Sequence, residues 1–559
     1  MTHRRAALAA LLLWASQAGA GARVTAQSPT PPNAQLALPT HAQPVAPWVQ
    51  GATCYEVFVR SFRDSDGDGV GDLKGLIGAL DYINDGDPRS TRSLGARCLW
   101  LMPIMETPSY HGYDVSDYYR VARVYGTNDD LKRLVAESHK RGIKVLVDMV
   151  LNHASSEYPP FQSALRDPAS PYRSWFRFSP TRGPNNRWGN NNWHRSPVRD
   201  EYYYGFFWRG MPDLNYEGPG ALSEMKKVAS FWLNEMGVDG FRLDAVRYLV
   251  EDGSTVDDTP GTHAVLREYG AYVRQAKSGA FTIGEVFDST GTLLTYYPDQ
   301  LDAYFAFEVG DSIIAGVRRG DARGILAPVL RLQGAVPAER WSPFLRNHDQ
   351  PRTRTEFKGD WGKSRVASLL LLTLPGLPFV YYGEELGMTG PKPDELIRTP
   401  MAWSRSAPHA GFTSGTPWHP LAADSLEANV EAQEGDAHSL LNLHRTLIQL
   451  RAATPALGSG ALIPLVTNNA AVAAFLRHDA TGTVLVIVNV GPAALKAVQI
   501  TAADDVLPFV RLAPRTLYGQ SRGPTIQFDA RRRLNATVDL SGYSGFIIAL
   551  GNDGTVPPR

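Results

Sequence analysis

The chain has 559 residues, 43% of them hydrophobic and 20% charged, with 56 Lys plus Arg against 56 Asp plus Glu. That length exceeds one ordinary domain, and the composition is that of a globular protein with material for a large core. A balanced chain has no global field for gripping phosphate polymers, and no Lys/Arg run announces a local one, so nucleic acid is excluded as an expected partner.

The first element in chain order is an address. Arg4 and Arg5 precede an apolar run over 6–15, and Ala18, Gly19 and Ala20 follow. Charged, apolar, then small is the order of a cleavable secretory signal peptide, and the apolar run is too short to span a bilayer. Residues 1–22 are therefore expected to be removed, leaving a secreted or periplasmic protein. No later segment approaches the roughly 18 uninterrupted apolar residues of a membrane anchor. Residues 23–47, rich in Pro, Ala, Gln and Thr, bury too little to fold alone and read as a linker. Cys54 and Cys98 are the only cysteines. Export permits a disulfide, but the sequence does not supply their separation. Both fall within predicted strands and are read as buried free thiols.

At 64–73 the chain reads DSDGDGVGDL, with Asp64, Asp66 and Asp68 at alternate positions and Asp72 following. An EF-hand would need a bidentate Glu at its twelfth position. Counting from Asp64, that position is Gly75. The loop is either a truncated calcium sensor, a metal staple in a larger fold, or an acidic turn with no ion.

Apolar runs then recur at 55–62, 98–103, 143–150, 238–244, 281–286, 301–307, 341–347 and 377–383, separated by helix-length segments. This predicts an α/β fold with a parallel sheet and crossover helices. A (β/α)8 TIM barrel over 48–153 and 214–453 fits the number of runs, and a doubly wound open sheet is the competitor. The stretch between the third and fourth strands is too long for a loop, so 154–213 reads as a small inserted domain. After about Ala453, AVAAFLR, TVLVIVNV, AVQI and GFIIAL are short strands without long helices between them. They predict an antiparallel β-sandwich domain over 454–559.

In such a barrel, chemistry collects at the C-terminal strand ends. The third strand brings Asp148 and then Asn152 and His153, the fourth Arg242 and Asp244, the fifth Glu285, and the seventh Asn347, His348 and Asp349. Singly, each acid is a helix cap or a solvated side chain. Gathered at one mouth, like charges cost energy unless they serve a task. Without an obvious nucleophilic Ser or Cys, paired carboxylates suit glycosidic bond cleavage. The aromatic stretches NRWGNNNW and EYYYGFFW offer faces for sugar rings, or simple core packing.

Five motifs stand in order: DMVLNH (148–153), MPDLN (211–215), GFRLDAV (240–246), GEVF (284–287) and FLRNHDQ (344–350). LWLMPI, GYDVSDYY, GLPFVYYGEELGM and RTPMAW flank them. From residue 48 onward the chain resembles the α-amylase superfamily of glycoside hydrolases, family thirteen. It looks like the bacterial α-amylases that lie between the oligo-1,6-glucosidase and neopullulanase groups. The resemblance implies a retaining enzyme with Asp244 as nucleophile, Glu285 as general acid and then base, and Asp349 orienting sugar hydroxyls. Arg242, on the same strand face as Asp244, would keep that carboxylate ionised. His153 and His348 would hydrogen-bond the sugar, and Tyr113 would stack beneath it.

The resemblance also implies Ca2+. In the first loop the ligands would be the side chains of Asp64, Asp66, Asp68 and Asp72 and the carbonyl of Val70. A second ion would be held by Asn152, Asp213 and the carbonyl of Tyr248. The implied partners are α-glucan oligo- and polysaccharides, bound by a monomer. Met211 in MPDLN, Tyr110-His111 and Ala245 depart from exo-acting and α-1,6-cleaving relatives and favour internal α-1,4 cleavage. The competing readings are an exo-α-glucosidase or a transglycosylase such as trehalose synthase and, from another class, a non-catalytic scaffold. The scaffold reading is weak because all three acids are in place.

Overall fold

The structure, a computed structural model, describes residues 45–503, 513–519, 523–528 and 533–551. The expected signal peptide and the linker up to residue 44 lie outside the described residues.

Eight parallel strands form the central sheet: β1 (Cys54–Val57), β2 (Cys98–Leu101), β3 (Lys144–Val150), β4 (Gly240–Asp244), β5 (Phe281–Gly284), β6 (Ala303–Phe305), β7 (Trp341–Ser342) and β8 (Phe379–Tyr381). They neighbour one another in chain order, and β8 returns to pair with β1. The Leu377 N–H donates to the Trp341 carbonyl and the Phe379 N–H to the Pro343 carbonyl, both at 3.0 Å. These bonds join β8 to β7 and close a barrel where an open sheet was the competitor. Every predicted strand is present, but several are shorter than their apolar runs. The run 55–62 turns helical at Val59–Phe62, and β7 stops before Pro343, which has no N–H for a ladder.

Alternation along the strands separates two cores. Tyr55, Val57, Leu99, Leu101, Val145 and Val147 join the large cluster shared with the helices. The alternate residues Cys54, Cys98, Trp100, Leu146, Ile283, Phe305 and Phe379 form their own cluster, which fills the barrel lumen. Two residues beyond Cys54, Leu146 and Gly240 on the same strand faces stand Glu56, Asp148 and Arg242. The lumen is therefore greasy below and charged at its upper layer.

The expectation of free thiols is corrected. Cys54 and Cys98 are directly opposed in the β1–β2 register, with Cα atoms 4.3 Å apart, and form a disulfide. Sequence could not show this because the pairing depends on register, which places the two residues on one lumen face.

Between β3 and β4 the chain builds a helix, Pro159–Arg166, and a small antiparallel sheet of Phe178–Ser179, Tyr202–Tyr204 and Trp193–Arg195. Bridges His153 to Asp213 and Phe176 to Leu214 tie the two ends of this insertion together. After the barrel, a five-stranded and a four-stranded antiparallel sheet enclose a separate core that includes Leu476, Leu485, Ile500, Val538 and Phe546. No helix among the described residues is long and apolar enough to cross a membrane.

Because the disulfide uses the chain's only two cysteines, protein denatured without reductant should show no alkylatable thiol. Replacing both by Ala should lower unfolding stability by about 2–4 kcal/mol, read from urea titration. A full complement of reactive thiols in the unreduced protein would sink the assignment.

Candidate active site

The upper lumen is organised around one guanidinium. Arg242 is 1% exposed and lies opposite Asp148 in the β3–β4 register. Its Nη1 donates to Asp148 Oδ1 at 2.9 Å and to Asp244 Oδ1 at 2.6 Å, and its Nη2 donates to Glu285 Oε2 at 2.5 Å. The guanidinium also stands over the rings of Trp100 and Tyr113, at 5.2 and 5.7 Å. Three carboxylates from three adjacent strands are thus fixed by a single side chain.

Local backbone completes the placement. Asp244 ends β4, and Ala245 then adopts a left-handed conformation at φ 48°, unusual for a residue with a Cβ. This turn lets the Ala245 N–H reach Glu285 Oε2 at 3.3 Å. Glu285, the first residue after β5, donates its own N–H to the Leu243 carbonyl at 3.1 Å.

Asp349 arrives from the loop after β7. Its Oδ1 accepts from Arg398 Nη2 at 2.8 Å, and its Oδ2 lies 3.0 Å from His348 Nε2. His348 is fully buried, with Nδ1 against Glu56 Oε1 at 2.5 Å and Nε2 against the Tyr113 hydroxyl at 2.6 Å. The Tyr113 ring stacks on His348 at 5.6 Å. His153 Nε2 meets the Tyr113 carbonyl at 3.1 Å. Side-chain exposure rises from 11% at Asp244 and 18% at Glu285 to 45% at Asp349. The reacting edge of the cluster therefore opens to the cleft while Asp148 and Arg242 stay sealed below.

Burial sets the protonation pattern. It pushes Glu285 up, against Arg242, and the charges of Asp244 and Asp349 push the same way. It also lifts Asp148 to about 7, with Arg242 opposing and Asp244 adding to the rise. Burial disfavours the His348 cation, but Asp349 and Glu56 outweigh it and raise the imidazole to about 9. The paired His348 and Arg398 charges hold Asp349 well below the usual carboxylate range despite its desolvation. Burial lowers His153, which therefore faces the site as a neutral ring.

The structure thus brings together Asp244, Glu285, Asp349, Arg242, His348, His153 and Tyr113. Sequence reasoning missed Glu56, Trp100 and Arg398 as site-building residues and gave Asp148 no role. The available signals were a lone acid inside the apolar strand around Tyr55 and an Arg opening the RTPMAW motif.

The first loop brings Asp64, Asp66 and Asp72 together, with one carboxylate oxygen from each inside a common 4.8 Å span. Hard carboxylate oxygens in a tight group fit a cation such as Ca2+. Asp68 is not one of the three. The Asp68 carboxylate instead accepts from the Val70 N–H at 2.7 Å. Asp72 also caps the helix Leu73–Gly78 through the Gly75 N–H. The loop is clamped from outside: Thr413 donates to Asp64, and the Trp418 N–H donates to the Gly69 carbonyl at 2.8 Å. A Cβ on Gly69 would sit 1.9 Å from the Thr416 carbonyl oxygen, so this approach requires glycine.

At the second expected position, Asn152 Oδ1 and Asp213 Oδ2 are buried oxygens with no hydrogen-bond partner, an acceptor pair that fits a cation. Asp213 Oδ1 accepts from the Phe206 N–H at 2.9 Å, and the Phe206 ring stacks on Tyr248 at 4.3 Å.

Most of the chain is similar to known proteins. The family described as "Alpha amylase, catalytic domain" matches residues 56–460. Alpha-amylase 3 of Dictyoglomus thermophilum is 38% identical over 79% of this chain and 85% of its own length. A trehalose synthase/amylase, TreS, of Mycobacterium tuberculosis is 33% identical over 79% of this chain and 82% of its own. The oligo-1,6-glucosidase of Parageobacillus thermoglucosidasius is 33% identical over 72% and 83%. Among solved structures, the alpha-amylase from H. orenii superposes with a TM-score of 0.76 at 35% identity, covering 89% of this chain and 99% of that one. With a family match across most of its length, the chain belongs to the alpha-amylase family of glycoside hydrolases.

Proposed function

We propose that the protein is an exported α-amylase that cleaves α-1,4 bonds of starch-like glucans and maltooligosaccharides with retention of configuration. The observation that carries this reading is the shared guanidinium: Asp244 and Glu285 are bound to opposite nitrogens of Arg242 at one cleft edge. Asp244 Oδ2 attacks the anomeric carbon while Glu285 gives its proton to the departing glycosidic oxygen. The resulting glycosyl ester is opened by a water that Glu285, now a carboxylate, deprotonates. Asp349, held ionised by His348 and Arg398, binds sugar hydroxyls, and the stacked Tyr113 forms the floor beneath the ring. Neutral His153, whose Nε2–H is given to the Tyr113 carbonyl, borders the same sugar.

Export is supported by the N-terminal sequence and by the disulfide, which persists in an oxidising compartment. Asp64, Asp66 and Asp72 would hold the first Ca2+, which would screen their mutual repulsion and fasten the loop to the segment around Trp418. Asn152 and Asp213 would hold a second.

The trehalose synthase relatives favour a second reading, an exo-acting or transglycosylating enzyme. Digestion of amylose, pullulan and maltose separates the two. The α-amylase reading expects rapid shortening of amylose to a series of oligosaccharides. Conversion of maltose to trehalose or glucose, with amylose length unchanged, would replace it by the second reading.

Glu285→Gln is expected to lower kcat on amylose by about 10²–10⁴-fold. In kcat/KM, which reads the first step and not the later one in which Glu285 acts as base, it should cost much less on α-glucosyl fluoride, whose leaving group needs no proton. Since the acid works while protonated, kcat/KM should fall as pH rises through the raised Glu285 pKa, and that basic limb should vanish in the variant. An equal loss of kcat/KM on both substrates would remove Glu285 from the acid role.

Chelation should expose the staple separately from the chemistry. EDTA is expected to lower the melting temperature, with recovery on adding CaCl2, and Asp64→Ala should abolish the response of the first site. A wild-type melting temperature indifferent to EDTA and calcium would overturn the metal assignment.

A further inference from the structure

Arg242 has a counterpart further along the same segment. Arg247, in the turn that follows β4, is 7% exposed, and each of its guanidinium nitrogens is engaged. Nε donates to Asp258 Oδ1 at 3.0 Å and Nη1 to the Phe287 carbonyl at 3.0 Å. Nη2 donates to Asp257 Oδ2 at 3.0 Å and to Asp258 Oδ2 at 2.6 Å, and it lies 2.9 Å from Asp288 Oδ2. The Asp258 N–H returns to the Arg247 carbonyl at 3.0 Å, from a left-handed backbone at φ 55° that aspartate adopts more readily than most residues. One buried cation thus holds three carboxylates and a carbonyl, which takes the planar fork of an arginine.

Its partners come from three segments. Asp257 and Asp258 lie in the loop between β4 and the helix Pro260–Ala276. Phe287 and Asp288 stand just past Glu285, in the loop after β5. The third segment is the inserted domain: Arg187 donates to Asp257 Oδ2 at 2.6 Å, and its backbone N–H donates to the Ser254 carbonyl at 2.8 Å. The Asp257 side chain is 1% exposed and joins the two guanidiniums. The chain after β5 is therefore pinned twice in succession. The Glu285 N–H is held by the Leu243 carbonyl and the Phe287 carbonyl by Arg247, with the buried Val286 between them. The Phe287 ring, 58% exposed, rests on Phe307 at 4.7 Å.

An acid that protonates the departing oxygen has the departing sugar on its own side of the cleft. A loop free to shift behind Glu285 would move the acid and the wall beside that sugar together, and small misplacements of a reacting group are costly. We propose that Arg247 is a positioning residue for the leaving-group side of the cleft, and that through Asp257 and Arg187 it locks the inserted domain to that wall. The inference rests on the acid role of Glu285 under the proposed function. Arg247 acts through the loop backbone and not on the reacting atoms, so it divides the work with Arg242: one guanidinium fixes the carboxylates and the other fixes the loop that carries the acid.

Two substrates read this separately from stability. Arg247→Lys keeps the charge and loses the fork. In the full chain its kcat/KM on maltoheptaose should fall about tenfold more than its kcat/KM on α-glucosyl fluoride, because fluoride departs with no sugar to seat and no proton to receive. Arg187→Gln, at a side chain 45% exposed, should move the same ratio in the same direction by a smaller factor. The ratio does not depend on how much enzyme folds, so a merely structural role would leave it at the wild-type value. An unchanged ratio in Arg247→Lys would overturn the positioning role, and an unchanged ratio in Arg187→Gln would overturn the lock to the inserted domain. If Arg247→Lys does not fold, the Arg187→Gln ratio decides. The wild-type digest of amylose tests the α-amylase reading by itself. Should the enzyme act on maltose and leave amylose intact, maltose replaces maltoheptaose in the ratio and the same outcomes apply.

Discussion

Arg242 is the constraint on which the rest of the site depends. A buried guanidinium must be paired, and removing one partner of such a pair typically costs about 3–5 kcal/mol. Here the pairing is supplied by strand register: Asp148 directly across on β3, Asp244 two residues on along β4, and Glu285 just past β5. Asp148 is sealed beneath the other two and fixes the cation from below. Asp148 shares Nη1 with Asp244, while Nη2 holds Glu285 at the cleft edge. The apolar lumen layers beneath, with Trp100 under the guanidinium, deny water to this arrangement and so strengthen it.

The acidic loop and Tyr113 belong to one continuous packing path. The loop holds Trp418 through the Gly69 carbonyl, and Trp418 stacks on Tyr110 at 5.6 Å. Tyr110 packs edge-on against His111, His111 stacks on Tyr113, and Tyr113 stacks on His348. The chain of rings ends at Glu56, on the strand that leads into the loop. The acidic loop and the Tyr113 ring are therefore joined by direct packing.

What could be read from the sequence follows from what is local. Strand number, the inserted segment and the convergence of Asp244, Glu285 and Asp349 depend on short apolar runs and on the residues that end them, and these were legible. Glu56 and Arg398 were not, because their partners are distant in the chain and only barrel closure brings them to His348 and Asp349. The Cys54–Cys98 bond was missed for a related reason: the β1–β2 register, invisible in one dimension, puts the two thiols face to face. In the acidic loop the alternation of aspartates was legible. It could not show that Asp68 would turn to the Val70 N–H while Asp64, Asp66 and Asp72 gather.

The stored proton of the site is a consequence of charge counting in a dry space. Arg242, His348 and Arg398 face Asp148, Asp244, Glu285, Asp349 and Glu56. With more carboxylates than cations, burial works against full ionisation of the cluster. Two cations flank Asp349 and hold it low, and the upward push falls on Glu285 and Asp148, which share Arg242. Glu285 and Asp148 are both lifted by this competition, but only Glu285 reaches the cleft. The charge of Asp244, the proposed nucleophile, pushes Glu285, the proposed acid, toward its protonated form, so one guanidinium serving several carboxylates gives them different environments without any difference in residue chemistry.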